Sequence, residues 1–203
     1  MDGKPEMTKI GILALQGAVR EHAAAIRKCG VEAVEVKSAE ELQYIDGLIL
    51  PGGESTTMRR LIDTYDMLKP LKRFISVDRP VFGTCAGLIL LAQSIEGQED
   101  NHIGMMDIVV RRNSYGRQIQ SFEANLNIKD IGQDFPGVFI RAPHIVKVGE
   151  GVEILCEHDG KIVMARQGSL LGCAFHPELT DDNRAISYFV KMVRASIIAR
   201  NKL

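Results

Sequence analysis

Three residue types in this chain have the placement that acyl-transfer chemistry needs: a cysteine at 85, a histidine at 176 and a glutamate at 178. Cys85 is the centre of Gly83-Thr84-Cys85-Ala86-Gly87, between an apolar Val81-Phe82 run and the helical pattern beginning at Leu88. This is a glycine-x-nucleophile-x-glycine turn, in which the glycines make room for a sharp strand-to-helix bend. The bend exposes the thiol beside helix N–H groups that favour thiolate. The Ala86 amide is then placed to help hold an oxyanion. A cysteine that attacks an amide needs a base to take its proton and return it to the leaving nitrogen. His176 closes the buried run Leu170–Phe175, and Glu178 lies two residues on, within reach of the imidazole across a stiffening Pro177.

The remaining cysteines and histidines read differently. Cys29, Cys156 and Cys173 sit inside helix or strand patterns and read as small core residues. His22 falls in the first helix, His158 in a hairpin turn, and His102 and His144 in loops. No two histidines are three or four apart, so no metal site is expected. Leu50-Pro51-Gly52-Gly53-Glu54-Ser55 forms another turn after a buried run. Its paired glycines suit an oxyanion hole, with Glu54 facing an ammonium group and Ser55 a carboxylate or carbonyl. The Gly-Lys-Ser/Thr ending of a phosphate loop is missing there. Arg112 and Arg141 each follow an apolar run and either suits a carboxylate, although a solvated surface position is the favoured reading of each until another feature places it in the site.

The elements that must position these groups alternate. Apolar runs at Ile10–Leu15, Ala33–Val36, Gly47–Leu50 and Pro80–Phe82 read as strands. Between them come helices over Ala18–Cys29, over a stretch with Met58, Leu61, Ile62 and Tyr65 on one face and punctuated by Pro70, and over Leu88–Ile95. Such alternation implies parallel βαβ units, whose sites gather at the carboxyl ends of strands. From Met105 the pattern changes. Phe122, Ala124, Leu126 and Ile128 alternate with polar residues, and His158-Asp159-Gly160 joins Val152–Cys156 to Lys161–Arg166 as a hairpin. A final helix over Asn183–Ile198 carries Ile186, Phe189, Val190, Val193 and Ile197 on one face, with Thr180–Asp182 as capping candidates. The expected fold is one three-layer α/β domain: a mostly parallel central sheet, flanking helices and an antiparallel addition in the second half.

Bulk properties agree. In 203 residues, 45% apolar and 25% charged composition supports one core, and a net charge of -1 without a basic run argues against nucleic-acid or membrane-surface partners. No run is apolar for the roughly 18 residues of a membrane span. The polar start lacks the features of a signal peptide, so residues 1–8 read as a short extension, the cysteines as reduced thiols and the protein as cytoplasmic.

The cysteine turn together with His176-Pro177-Glu178 resembles the class I, triad-type glutamine amidotransferases, whose fold is flavodoxin-like. Further runs narrow the resemblance to the glutaminase subunits of pyridoxal 5′-phosphate synthases. They are Leu15-Gln16-Gly17-Ala18 with Arg20-Glu21-His22, Leu50 through Thr57, Arg112 through Gln118, Ser121-Phe122-Glu123, Phe139 through Pro143, and Phe175 through Leu179. The resemblance spans residues 9 to 195. It implies Cys85 as nucleophile, His176 as acid and base, and Glu178 as its orienter. It implies glutamine held by Gly53, Glu54, Ser55, Arg112, Ile140 and Arg141, and an oxyanion hole of Gly52, Gly53 and Ala86. It implies no cofactor, and ammonia delivered to a synthase partner in an assembly of twelve copies of each. Gln16 would lie where docking reshapes the oxyanion hole. Two rivals stay open on the residues alone: a cysteine hydrolase acting without a partner, and a silent regulatory subunit.

Overall fold

The computed structural model describes residues 7–116 and 120–202. Arg117 and Gln118 of the motif noted above, and most of the expected N-terminal extension, lie outside the described residues. The first half alternates as expected: β1 (Lys9–Leu13), α1 (Val19–Lys28), β2 (Glu32–Val36), β3 (Gly47–Leu50), α2 (Ser55–Thr64), α3 (Leu68–Ser76), β4 (Val81–Thr84) and α4 (Ala86–Leu91). A 3₁₀ turn at Glu40–Tyr44 precedes β3. The second half holds β5 (Ala92–Ile95), β6 (Met106–Arg111), β7 (Ser121–Ile128), β8 (Gly132–Ile140), β9 (His144–Val148), β10 (Glu153–His158), β11 (Lys161–Gln167) and β12 (Leu170–Cys173). A 3₁₀ turn at Pro177–Leu179 and α5 (Arg184–Arg200) complete it.

Among the described residues one sheet runs β2-β1-β3-β4-β12-β11-β9-β6-β5, with β10 added to β11. Its first five strands are parallel; β11 and β9 join antiparallel, and β5 pairs parallel with β6, so the sheet is mixed. β7 and β8 form a separate antiparallel pair. Strands β3, β4 and β12 are buried at every position, which is why they read as unbroken apolar runs rather than alternating ones. Helices cover both faces of this parallel half. From α5, Ala185, Ile186, Phe189, Val190 and Val193 are buried, and the Phe189 ring lies 5.5 Å from that of Phe82 on β4. Ile197 of the same stripe is only partly buried against the core.

Several sequence readings need correction. The helix expected over Leu88–Ile95 stops at Leu91, and Ala92–Ile95 continues as β5 beside β6. The chain stays apolar and buried from Leu88 through Ala92, across the junction, and a buried helix cannot be told from a strand by composition alone. Pro70 does not end a helix; it lies in the first turn of α3, where a proline costs no intrahelical bond. In α2 only Met58 and Ile62 of the expected face are fully buried, and Tyr65, the residue after the helix, is exposed. His144 opens β9 rather than lying in a loop. The strand ending at Phe175 instead ends at Cys173, so His176 stands three residues beyond the sheet. The N-cap of α5 is Asn183, outside the expected Thr180–Asp182, and its side chain makes no cap bond; Asp182 Oδ1 accepts the Arg184 N–H at 3.0 Å.

The elbow after β4 is steric as well as conformational. A methyl group on Gly87 would collide with the Leu50 carbonyl of β3, and one on Gly83 with the Gly87 backbone. Gly87→Ala is therefore expected to cost about 1–3 kcal/mol of stability, measured as a lower urea midpoint with an unchanged m value.

Candidate active site

The parallel pairing of β4 with β12 sets the site. Gly83 lies opposite Gly172 and Thr84 opposite Cys173, and the Cys85 N–H donates to the Cys173 carbonyl at 2.9 Å. The two strands therefore stop together, and the chain leaving β12 delivers His176 beside the elbow. His176 is anchored from the other side by its own N–H, which donates to the Val138 carbonyl of β8 at 2.8 Å. Neighbouring β3 ends at the same edge and supplies Gly52, which packs on the imidazole so closely that a side chain there would overlap it.

Cys85 has φ 50° and ψ −103°. This lies outside the left-handed well and costs a non-glycine residue on the order of 1–3 kcal/mol. The elbow expected from the glycine spacing is thus present as real backbone strain. Asn113 and Arg141, on the rim of the same cleft, also have positive φ.

Cys85, His176 and Glu178 are each only 7% exposed. His176 Nδ1 lies 2.7 Å from Glu178 Oε1, which assigns the proton to Nδ1 and leaves Nε2 for exchange with the thiol. Burial disfavours charge on this imidazole, but the Cys85 sulfur and the Glu178 carboxylate outweigh it and raise its pKa from the ordinary 6.5 to about 10. Burial likewise opposes charge on Glu178, yet the two neighbouring imidazoles, His22 and His176, hold its pKa below the usual carboxylate value. The thiol itself makes a long hydrogen bond, 3.9 Å, to the Ile140 carbonyl.

Cys85 and His176 line a cleft of about 290 Å³ with Gly53, Glu54, Ser55, Ala86, Ile89, Arg112, Asn113, Ile140 and Arg141, and Glu178 lies behind His176, off that lining. Every substrate-binding and oxyanion residue named from the sequence except Gly52 is on that lining, and Gly52 abuts His176. The size is at the small end of metabolite sites, about 300–1,000 Å³. A larger hollow of about 590 Å³ beside α3 is lined by no cysteine, serine or histidine. Glu54 caps α2: Oε1 accepts the Thr56 N–H at 3.0 Å, and Oε2 the Thr57 N–H at 2.8 Å and hydroxyl at 2.7 Å. Partial burial works against its charge, but these bonds pull its pKa to about 2. Arg112 Nη2 stands 3.3 Å from Glu54 Oε1, so the mouth presents a fixed carboxylate beside a guanidinium, a suitable pair for an amino-acid zwitterion. Gln16 braces this loop, its Oε1 accepting the Glu54 N–H at 2.9 Å.

Sequence reasoning missed Ile89 and Asn113 on the cleft wall, and it left His22 without a role. Fully buried on α1, His22 Nε2 lies 3.0 Å from Thr84 Oγ1 and 3.5 Å from Glu178 Oε2. A histidine on the apolar stripe of an otherwise amphipathic helix was the available signal. Among the described residues, no group of three or more histidines, cysteines and carboxylates gathers as a metal site would require.

A solved structure described as a glutamine amidotransferase superposes with a TM-score of 0.87 at 43% identity, covering 91% of this chain and 98% of that one. A putative GMP synthase protein from Thermoplasma acidophilum shares the fold at a TM-score of 0.71 and 18% identity, covering 98% of this chain and 100% of that one. Fold and site together are those of a glutamine amidotransferase. The model of the SNO glutamine amidotransferase family matches residues 12–195, and the chain belongs to that family. Its curated relatives include pyridoxal 5′-phosphate synthase subunit PdxT of Geobacillus kaustophilus, 61% identical over 94% of this chain and 97% of that protein. The PdxT subunit of Geobacillus sp. strain WCH70 is 63% identical over 93% of this chain and 98% of that protein.

The raised His176 pKa has a definite sign. The pairing stabilises the fold fully below 6.5 and is lost as pH climbs through the folded value of about 10. Glu178→Gln removes the nearby anion, so the alkaline limb of the pH–rate profile is expected to fall by about 1–2 units, read from glutamate release across pH 6–11.

Proposed function

We propose that this chain is the glutaminase subunit of a pyridoxal 5′-phosphate synthase, hydrolysing L-glutamine to L-glutamate and ammonia and passing the ammonia to its synthase partner. The observation that carries this reading is the strained Cys85 elbow beside the buried His176–Glu178 pair, in a chain about 60% identical to PdxT subunits over most of its length.

Glutamine enters with its α-ammonium toward Glu54 and its carboxylate toward Arg112 and Arg141, between Gly53, Ser55 and Ile140. The Cys85 thiolate attacks the side-chain amide carbon, and the oxyanion is received by backbone N–H groups of Gly52, Gly53 and Ala86. The His176 imidazolium gives its proton to the amide nitrogen, the C–N bond breaks and ammonia leaves a glutamyl thioester. Water, losing a proton to His176, then attacks the thioester; glutamate departs and the thiol is restored. Glu178 holds the imidazole in the Nδ1–H tautomer throughout. Neither cofactor nor metal is required by any of these steps.

Ammonia released into neutral water becomes ammonium and stops being a nucleophile, so a partner that receives it directly is chemically sensible. The reading includes an assembly of twelve copies of each protein, a cytoplasmic location, residues 9–203 as the amidotransferase domain and residues 1–8 as an extension. It includes no nucleic-acid or membrane partner; among the described residues no helix is long and apolar enough to cross a membrane.

Glutamate release from glutamine, with and without purified synthase, tests the proposal. The synthase is expected to stimulate release, and Cys85→Ala to lower it by a factor of about 10³ or more. Full activity of that variant would refute the mechanism. Unstimulated but Cys85-dependent activity would favour a hydrolase that works alone.

A further inference from the structure

The glutamate that orients His176 has a second carboxylate oxygen, turned away from the imidazole. Glu178 Oε1 is taken by His176 at 2.7 Å. Glu178 Oε2 is buried and makes no hydrogen bond of normal geometry; across a 3.5 Å gap stands His22 Nε2. Both side chains are fully buried, so water does not compensate them from outside. We propose that His22 is a positioning residue for the glutaminase reaction: a neutral imidazole whose Nε2–H clamps the far oxygen of Glu178 and keeps that carboxylate ionised and aligned on His176.

The tautomer follows from the neighbours. His22 Nε2 lies between Thr84 Oγ1 at 3.0 Å and the Glu178 oxygen. An unprotonated Nε2 would direct its lone pair at a carboxylate and leave a buried Nδ1–H without a partner. A protonated Nε2 donates to Thr84 Oγ1, turns its partial positive charge on Glu178 Oε2 across the longer gap, and leaves only an acceptor, Nδ1, unpaired on the ring, the less costly of the two orphans. Burial dominates the charge state of His22: it outweighs the pull of Glu178 and Glu21, is reinforced by His176, and holds the pKa below the ordinary histidine value. The groups facing the pair are His176 beyond Glu178, Cys85 at the elbow, Cys173 at the end of β12 and Glu21 on α1 itself. Cys173 is pushed far up by burial and stays a neutral thiol.

A purely structural residue at this place would be expected to be apolar. Its helix neighbours Ala23, Ala25 and Ile26 are buried hydrophobics, and a leucine would fill the space without stranding a ring nitrogen. The imidazole also ties α1 to Thr84, the residue before the nucleophile. One side chain thus touches the two segments whose relative position sets the Cys85–His176 approach, and it touches neither the cleft nor substrate. Such outer partners typically alter rates by about 10–100-fold in the metal sites where they are best measured.

The inference rests on the Cys85–His176–Glu178 reading, and its test separates the two. The pH dependence of kcat/KM for glutamate release, with the synthase partner present, is compared for wild type, Glu178→Gln, His22→Leu and His22→Gln. His22→Leu removes the donor, so Glu178 takes up its proton at higher pH. The acid limb is expected to move up by about one unit, with kcat down about 10-fold at neutral pH and KM within about 2-fold. His22→Gln restores a donor at the Nε2 position and is expected to return the limb to within a few tenths of a unit of wild type. An unmoved limb in His22→Leu, or an equal shift in both variants, overturns the role of His22. Full activity in Glu178→Gln overturns the triad reading instead. Independently of any variant, ¹⁵N spectra of histidine-labelled wild-type protein are expected to show His22 as the neutral Nε2–H tautomer between about pH 5.5 and 7.5, one unit either side of the ordinary value. An Nδ1–H signal refutes the clamp even if His22→Leu fails to fold.

Discussion

The parallel ladder between β4 and β12 is the constraint from which the site follows. These two strands are distant in sequence, yet their register ends both at one level, and the Cys85 amide is bonded to the last carbonyl of the partner strand. A one-residue slip would turn every side chain to the opposite face. It would also carry His176 away from the thiol. The glycines of the elbow and Gly172 opposite them leave the room that this register needs: at Gly172 an added methyl would meet Leu88 of the helix behind. Strain at Cys85 persists because the ladder below and the buried α4 above leave the chain no other path.

Around that ladder the electrostatics are layered outward. The thiol bears on His176, His176 on Glu178, and Glu178 on His22, with burial opposing charge at each imidazole and carboxylate. Each charge is therefore maintained by its neighbour rather than by water, so the row behaves as one unit. At the cleft mouth the logic is different. Glu54 is half open to solvent and stays ionised through the hydrogen bonds of a helix cap, a local device that depends little on the rest of the fold.

The sequence was legible where chemistry and local geometry coincide. Gly83–Gly87 announces a bend that only a few residue types permit, and Pro177 with Glu178 announces a stiff turn beside an imidazole. The buried parallel strands were equally readable as apolar runs. Legibility failed where tertiary pairing decides the outcome. The apolar run Leu88–Ala92 does not mark the point at which helix gives way to strand, because the change is imposed by pairing with β6. His22 was half legible: its place on the apolar stripe of α1 marks it as unusual, but the carboxylate it faces lies far along the chain and leaves no local sign. The β7–β8 pair was seen only as one alternating strand, since the positive φ at Asp130 and Gly132 in its turn was not anticipated from Lys-Asp-Ile-Gly.

The hydrogen bond from the His176 N–H to the Val138 carbonyl has a consequence for timing. The nucleophile is encoded before the middle of the chain, while its base comes near the end and is secured to a hairpin made in between. A ribosome that has released Cys85 has not yet released His176, and the growing polypeptide therefore carries a thiol with no base beside it. Non-local contacts of this kind form late. Reactivity thus arrives only with completion of the fold, and a truncated or stalled chain is born chemically disarmed.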